Sequence, residues 1–216
     1  MKRVSVVGIV HDEIGLANIP ELHAILERIR PDVIFLEIPS AAFDDFVDGR
    51  RWNLESSAAR RYRDLHRVEL IPVDLPTPDE EFFRNIRYLN ETIKRTSSVC
   101  SRLLYRDRQY VSAHGFAYLN SEHCSTLWSD FYGAMLAKIE ELDDHGLLEI
   151  YETWRHTNEL RDKAMMKCVE DYSTQSPFDT GVLLVGAAHR QSLIDKSRTG
   201  YGDGMPSVQW DFDGFL

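Results

Sequence analysis

The stretch VLLVGAAH, residues 182–189, closes a long run of helical patterning and breaks with it. Four apolar residues, two of them β-branched, lead into a glycine, two alanines and a histidine, the pattern of a buried strand ending in a sharp turn. The chain does nearly the same at its start, with VSVVGIVH at residues 4–11. Two strands at opposite ends of the sequence therefore each run into Gly-x-x-His. A parallel sheet brings the carboxyl ends of its strands to one edge, so membership of one such sheet would bring both histidines to one rim.

The residues between supply the rest of a sheet. PELHAILERIR, residues 20–30, sets Leu22, Ile25, Leu26 and Ile29 at helical spacing, with a proline in the first turn. PDVIFLEIP, residues 31–39, reads as a buried strand bounded by prolines, and VELIPVD, residues 68–74, as another. The charged stretch ESSAARRYRDLHR between them is compatible with a helix. Strand, helix, strand, helix, strand is the rhythm of right-handed parallel crossovers. From Pro78 to about Ser176 only helical periodicity and loops appear, with a break expected near Thr157 and no regular element expected for YRDRQYVSAHGFAYLN, residues 105–120. RQSLIDKS suits a short helix and SVQWDFD a last strand. The fold expected is α/β, a mostly parallel central sheet built from both ends of one 1–216 domain, with a large helical insertion at residues 75–180 in the middle.

Composition narrows the partners. The 216 residues carry 25 Lys plus Arg against 35 Asp plus Glu, a net charge of −10, which argues against a nucleic-acid backbone or an anionic membrane as main partner. Three scattered cysteines make neither a disulfide framework nor a cysteine-based zinc site, and they fit a reducing compartment. No stretch approaches the roughly 18 apolar residues of a membrane span. The N-terminal MKRVSVVGIVHDE is unlike a signal peptide, because its apolar run is short and acids follow at once. A soluble, cytoplasmic protein is the expectation; its oligomeric state is open.

The strand ends collect chemistry. Gly8 and His11 follow the first strand, Glu37 ends the second, Asp74 ends the third, and Gly186 and His189 follow the fourth. Two imidazoles and two carboxylates on one rim are donors for a borderline divalent metal and equally a general-base set. The glycines would permit a positive φ or a close backbone approach, and free amides beside them would help to hold an anion. Each residue also has a plainer reading. Gly-x-x-His occurs by chance, Glu37 could pair with an arginine or cap a helix, and Asp74 could be turn chemistry.

The blocks GIVH, PDVIFLE, NELRDKAMMKCV and VLLVGAAH together resemble, in order and approximate spacing, the TraB/PrgY–TIKI family, of the superfamily that includes erythromycin esterases and ChaN-like proteins. The resemblance implies paired Gly-x-x-His motifs and a glutamate at one site, carried here by Gly8, His11, Glu37, Gly186 and His189. It further implies metal-dependent peptide hydrolysis as in the TIKI branch, histidine-based hydrolysis as in the esterases, or the blocking of a peptide signal. It also points to Arg161 and Asp162. Those two share a helical face with Asn158 and Met165, where a guanidinium could clamp a carboxylate or steady an oxyanion and Asp162 could orient an imidazole; a solvated charged face is the alternative.

The leading expectation is a hydrolase of the TIKI/TraB type that cleaves an amide or ester bond of a peptide or small molecule. His11, Glu37 and His189 would hold Mn²⁺, Co²⁺ or Zn²⁺, or act on water directly. Arg161 would bind substrate or stabilise the oxyanion, supported by Asp74 and Asp162. A non-catalytic protein sequestering a peptide or small ligand in the same cleft is the rival, and a purely structural polar network the third reading. Glu122 and His123, in NSEHC, could line the substrate path or simply begin a helix. Tyr105, Tyr110, Phe116 and Tyr118 could form a lid or pack an irregular segment. His23, His66, His145 and His156 read as surface.

Overall fold

The computed structural model describes residues 1–200 and 207–215. It is an α/β protein with one five-stranded sheet, all parallel. The elements run β1 (Lys2–Ile9), α1 (Ile19–Ile29), β2 (Val33–Pro39), α2 (Phe43–Val47), α3 (Leu54–Leu65), β3 (Glu69–Asp74), α4 (Glu80–Thr96), α5 (Ser98–Leu119), α6 (Glu122–Leu142), α7 (His145–Gln175), β4 (Thr180–Gly186), α8 (Arg190–Thr199) and β5 (Val208–Asp211). The spatial order of the strands is β3-β2-β4-β1-β5.

That order explains the repeated motif. β4 enters last but one and fills the slot between β1 and β2, so Gly8 lies beside Val185 and Ile9 beside Gly186. The two Gly-x-x-His stretches are side by side. On the other edge of β4, Leu36 pairs with Leu184, which brings Glu37 to the same rim. The slot between β1 and β2 is also where the direction of strand addition reverses, the usual crevice of an open parallel sheet.

Both faces of the sheet are covered, which is why its strands read as nearly continuous apolar runs. Alternate residues Val7, Ile9, Ile34, Leu36, Val182 and Leu184 pack with Leu22, Ile25 and Leu26 of α1 and Leu54 and Ala58 of α3. The opposite set, Val6, Phe35, Leu183 and Val185, packs with Met165, Met166 and Val169 of α7 and Leu193 of α8. A third cluster, including Leu89, Phe131, Met135 and Tyr151, joins α4, α6 and α7 away from the sheet.

Local signals set the helix ends. The Asn18 side chain accepts the Glu21 amide at 3.0 Å, Pro20 occupies the first turn, and Leu22, Ile25, Leu26 and Ile29 are the buried face of α1. Two expectations fail in the middle. Residues 105–120 are not irregular: all but the capping Asn120 belong to α5, which kinks at Gly115 (φ 53°, ψ −133°). A β-carbon there would lie 2.6 Å from the Leu16 carbonyl oxygen, so packing against the loop after β1 requires glycine. Nor does the chain break near Thr157, because α7 continues through it and the Thr157 hydroxyl bonds back to the Thr153 carbonyl at 2.8 Å. Among the described residues no helix is long and apolar enough to cross a membrane.

Candidate active site

Gly186, the last residue of β4, is the hub of the rim. A β-carbon built on it would lie 3.4 Å from Glu37 Oε2, 3.5 Å from His11 Nε2 and 3.6 Å from His189 Cδ2. Three side chains from three adjacent strand ends thus surround one point. The Gly186 amide donates to Glu37 Oε2 at 2.6 Å. The chain then turns through a short 3₁₀ segment, Ala187–His189, which aims His189 back over the sheet. β1 makes no such turn; His11 follows two residues after its strand ends.

Each imidazole is braced from behind by a buried carboxylate. His11 Nδ1 lies 2.8 Å from Glu55 Oε1, and His189 Nδ1 lies 2.6 Å from Asp162 Oδ1. In both rings this leaves Nε2 as the nitrogen directed to the centre. Glu55 escapes sequence reasoning: it sits in a stretch that reads as a charged surface helix, yet it is fully buried. The clue available was Asn53, whose side chain caps α3 by accepting the Ser56 amide at 2.9 Å and also donates to Glu55 Oε1 at 2.7 Å. The Leu54 amide donates to the His11 carbonyl at 2.8 Å, so the start of α3 holds both the backbone and the ring of His11.

Arg161 closes the other side. Its Nε and Nη2 take the two Asp74 oxygens at 2.9 and 2.8 Å, and Nη2 also donates to Glu37 Oε1 at 2.5 Å. Asp74 Oδ1 accepts the Leu75 amide at 2.8 Å besides, so its turn role and its arginine pairing coexist. The 158–165 face of α7 is not solvated: the Arg161 side chain is 22% exposed and that of Asp162 4%. Lys196 of α8, a neighbour with no local signal in the sequence, stands 3.7 Å from Asp162 Oδ2 and donates to Ser192 Oγ at 2.6 Å.

The electrostatics follow from this packing. The hydrogen bond that His11 donates to Glu55, opposed by burial and helped by the Glu55 and Glu37 charges, pushes the His11 pKa up to about 9. Burial works against a charged His189, but Glu37 and Asp162 outweigh it and its pKa is pushed up to about 10. Burial likewise opposes a charged Glu37, yet His189, Arg161 and His11 hold its carboxyl well below the usual range. Glu55 moves the other way: burial raises it despite His11.

Gly8 acts by close approach, with backbone atoms of Leu119 and Ala187 within 3.3 Å of a β-carbon built on it, while neither Gly8 nor Gly186 adopts a positive φ. Their amides are also not free for an anion. The Gly8 amide donates to Asn120 Oδ1 at 2.6 Å, and Asn120 Nδ2 returns a bond to the Gly8 carbonyl at 3.0 Å.

A cleft of about 1230 Å³ opens from this rim between the sheet and α4, α6 and α7; His11, Glu37, Arg161, Asp162, Gly186 and His189 are among its walls. Glu122 and His123 do not line it. They are exposed at the first turn of α6, where Ser121 caps the helix and only Cys124 points inward. Tyr105, Tyr110, Phe116 and Tyr118 form no lid: they belong to α5, where Phe116 and Tyr118 are buried, Tyr105 is exposed and none lines the cleft. His66 and His145 are exposed, His156 is exposed but borders the cleft, and His23 is half-buried beside Tyr62.

The expected divalent ion meets an ill-suited donor set. Among the described residues, no group of three or more His, Cys, Asp or Glu side chains is placed to hold a metal. Both Glu37 oxygens are already engaged, one by the Gly186 amide and one by a permanent guanidinium cation, and both imidazoles are drawn toward protonation. His11, Glu37 and His189 as arranged do not fit Mn²⁺, Co²⁺ or Zn²⁺.

No protein-family model matches the chain, and no curated protein does. Among solved structures it is similar to a mutant of the erythromycin esterase EreC in its open conformation, with 14% identity and a TM-score of 0.36 over 85% of this chain. The chain spans 60% of the length of that esterase. So slight a likeness carries no argument about chemistry.

Proposed function

We propose that the cleft is a hydrolytic site, cleaving an ester or amide bond of a peptide or small molecule with a water activated by histidine, the metal-free mode that the sequence resemblance implies for the esterase branch. The observation that carries the reading is the meeting of His11, His189 and Glu37 at Gly186, with each ring braced at Nδ1 by a buried carboxylate. His11 is the base. Its side chain is 52% exposed, so water and substrate reach Nε2, and Glu55 fixes the tautomer from behind. Water adds its oxygen to the carbonyl carbon and passes a proton to His11 Nε2. The bond to the leaving oxygen or nitrogen then breaks, and that atom takes a proton back. His189, braced by Asp162, and Arg161 supply positive charge where the oxyanion develops. Glu37 holds these cations in place.

The protonation states set the pH dependence. His11 acts only when neutral, so kcat/KM should rise as pH increases toward about 9. His189 must stay charged, so the rate should fall once pH passes about 10. The test is a panel of 4-nitrophenyl esters and anilides assayed across this range, with and without EDTA. Turnover that peaks at alkaline pH, resists EDTA and drops by about 10²–10⁴ in His11→Asn is the expected result. Turnover abolished by EDTA would overturn the water-by-histidine mechanism. The rival reading draws on the fact that both rings favour the charged, non-basic state at neutral pH. Tight ligand binding with no turnover at any pH would favour that sequestering role.

A further inference from the structure

Beyond the rim, the cleft changes character. Trp128, Tyr132 and Trp154 form a continuous wall, with ring centroids 5.6 Å apart for Trp128–Tyr132 and 5.3 Å for Tyr132–Trp154. All three are only half-buried although large and apolar, and all three line the cleft. The buried side chains of Leu89, Phe131 and Met135 line the cleft beside them. Of the charged residues that border the cleft, Lys94, Glu152 and Arg155 are exposed, and the half-buried Asp107 is engaged by the Tyr118 hydroxyl, which donates to its Oδ1 at 2.9 Å. A cavity of about 1230 Å³ also exceeds the roughly 300–1,000 Å³ of sites for drug-sized ligands. An acetyl group or a single small amino acid would leave most of that wall in water.

The geometry points to a substrate whose reacting carbonyl bears a bulky, uncharged, ring-containing apolar group, seated against Trp128, Tyr132 and Trp154 while the carbonyl lies over Gly186. This rests on the hydrolase reading and adds the substrate class. The cleft is continuous from rim to wall, so the occupant of the wall is part of the molecule that reacts. Aromatic faces favour offset or edge-on contact with another ring, and a planar group gains that contact in addition to burial.

Two measurements separate the ideas. The first compares kcat/KM for 4-nitrophenyl acetate with that for 4-nitrophenyl 2-naphthoate. The naphthoate should lead by at least about tenfold, since its fused rings bury apolar area that the acetyl group lacks. Trp154→Leu and Tyr132→Leu, checked for folding by circular dichroism, should each cut that ratio by about fivefold or more. The second uses uncharged 2-naphthamide as a probe of the unmodified protein, read by quenching of tryptophan fluorescence. Saturable quenching that Trp154→Leu abolishes is expected. Esters hydrolysed without preference for the naphthoate, and no saturable quenching, would overturn the substrate class while leaving the hydrolase standing. No ester turned over, but naphthamide bound and Trp154→Leu sensitive, would overturn the hydrolase while keeping the apolar ring site. A preference for the acetate would overturn the inference outright.

Discussion

His11 and His189 leave neighbouring strands through the same Gly-x-x-His spacing, yet they meet the site on different terms. The His11 side chain is 52% exposed and leans on Glu55 from the first turn of α3. The His189 side chain is 12% exposed and lies between Asp162 of α7 and Glu37 of β2. Its Nε2 is 3.4 Å from Glu37 Oε1. Equal motifs thus deliver rings to one point, while tertiary partners decide which ring is accessible and which is locked. An accessible ring suits proton transfer; a locked cation suits charge stabilisation.

The widest expected gap between the two is in stability. His189→Ala strands Asp162 and Glu37, both 4% exposed, without their shared cation, a change that costs about 3 kcal/mol or more. For a chain of this size that corresponds to about 6–12 °C in Tm. His11→Ala should cost less, about 1–3 kcal/mol, because only Glu55 loses a partner and it keeps the Asn53 donor. Equal losses in urea or thermal unfolding would erase the distinction.

The glycines should split in a second way. A β-carbon on Gly8 would press on the Leu119 carbonyl oxygen at 3.1 Å and on Ala187 Cα at 3.3 Å, both backbone atoms. Gly8→Ala is therefore expected to cost about 1–3 kcal/mol of stability. On Gly186 the same methyl meets only side-chain atoms at ordinary contact distance. Gly186→Ala should fold with near-normal Tm and lose turnover, because the methyl fills the space between the three reactive groups. A destabilised Gly186→Ala with intact activity would contradict this.

The subtlest contrast is in titration, followed by NMR of the imidazole resonances. Glu55→Gln removes the largest cause of the raised His11 pKa, so it should fall from about 9 toward the ordinary 6.5. Asp162→Asn leaves Glu37 in place beside His189, so the value near 10 should fall less. A larger shift at His189 than at His11 would show that the partners had been ranked wrongly.

Much of the scaffold is legible along the chain. The parallel strands show as short apolar runs bounded by proline and glycine, and α1 shows its cap, its proline and its buried face. The helical middle reads as helix because its periodicity is regular, but α5 is lost to view at Gly115, where the need for glycine arises from Leu16 a hundred positions earlier. The rim residues stand out because polar groups directly after apolar strands are conspicuous. Glu55 does not, since a buried acid among arginines carries the same local signature as an exposed one.

By itself the sequence determined which segments are strands, that they alternate with helices at the N-terminal end, and which polar side chains sit at strand ends. These follow from short-range periodicity and turn chemistry. Only the tertiary structure decided that β4 slips between β1 and β2, that Glu55 rather than a nearer acid braces His11, and that Arg161 occupies the carboxylate a metal would need. The first depends on strand pairing across the whole chain, and the other two on pairing of buried charges 44, 87 and 124 residues apart, couplings no local pattern encodes.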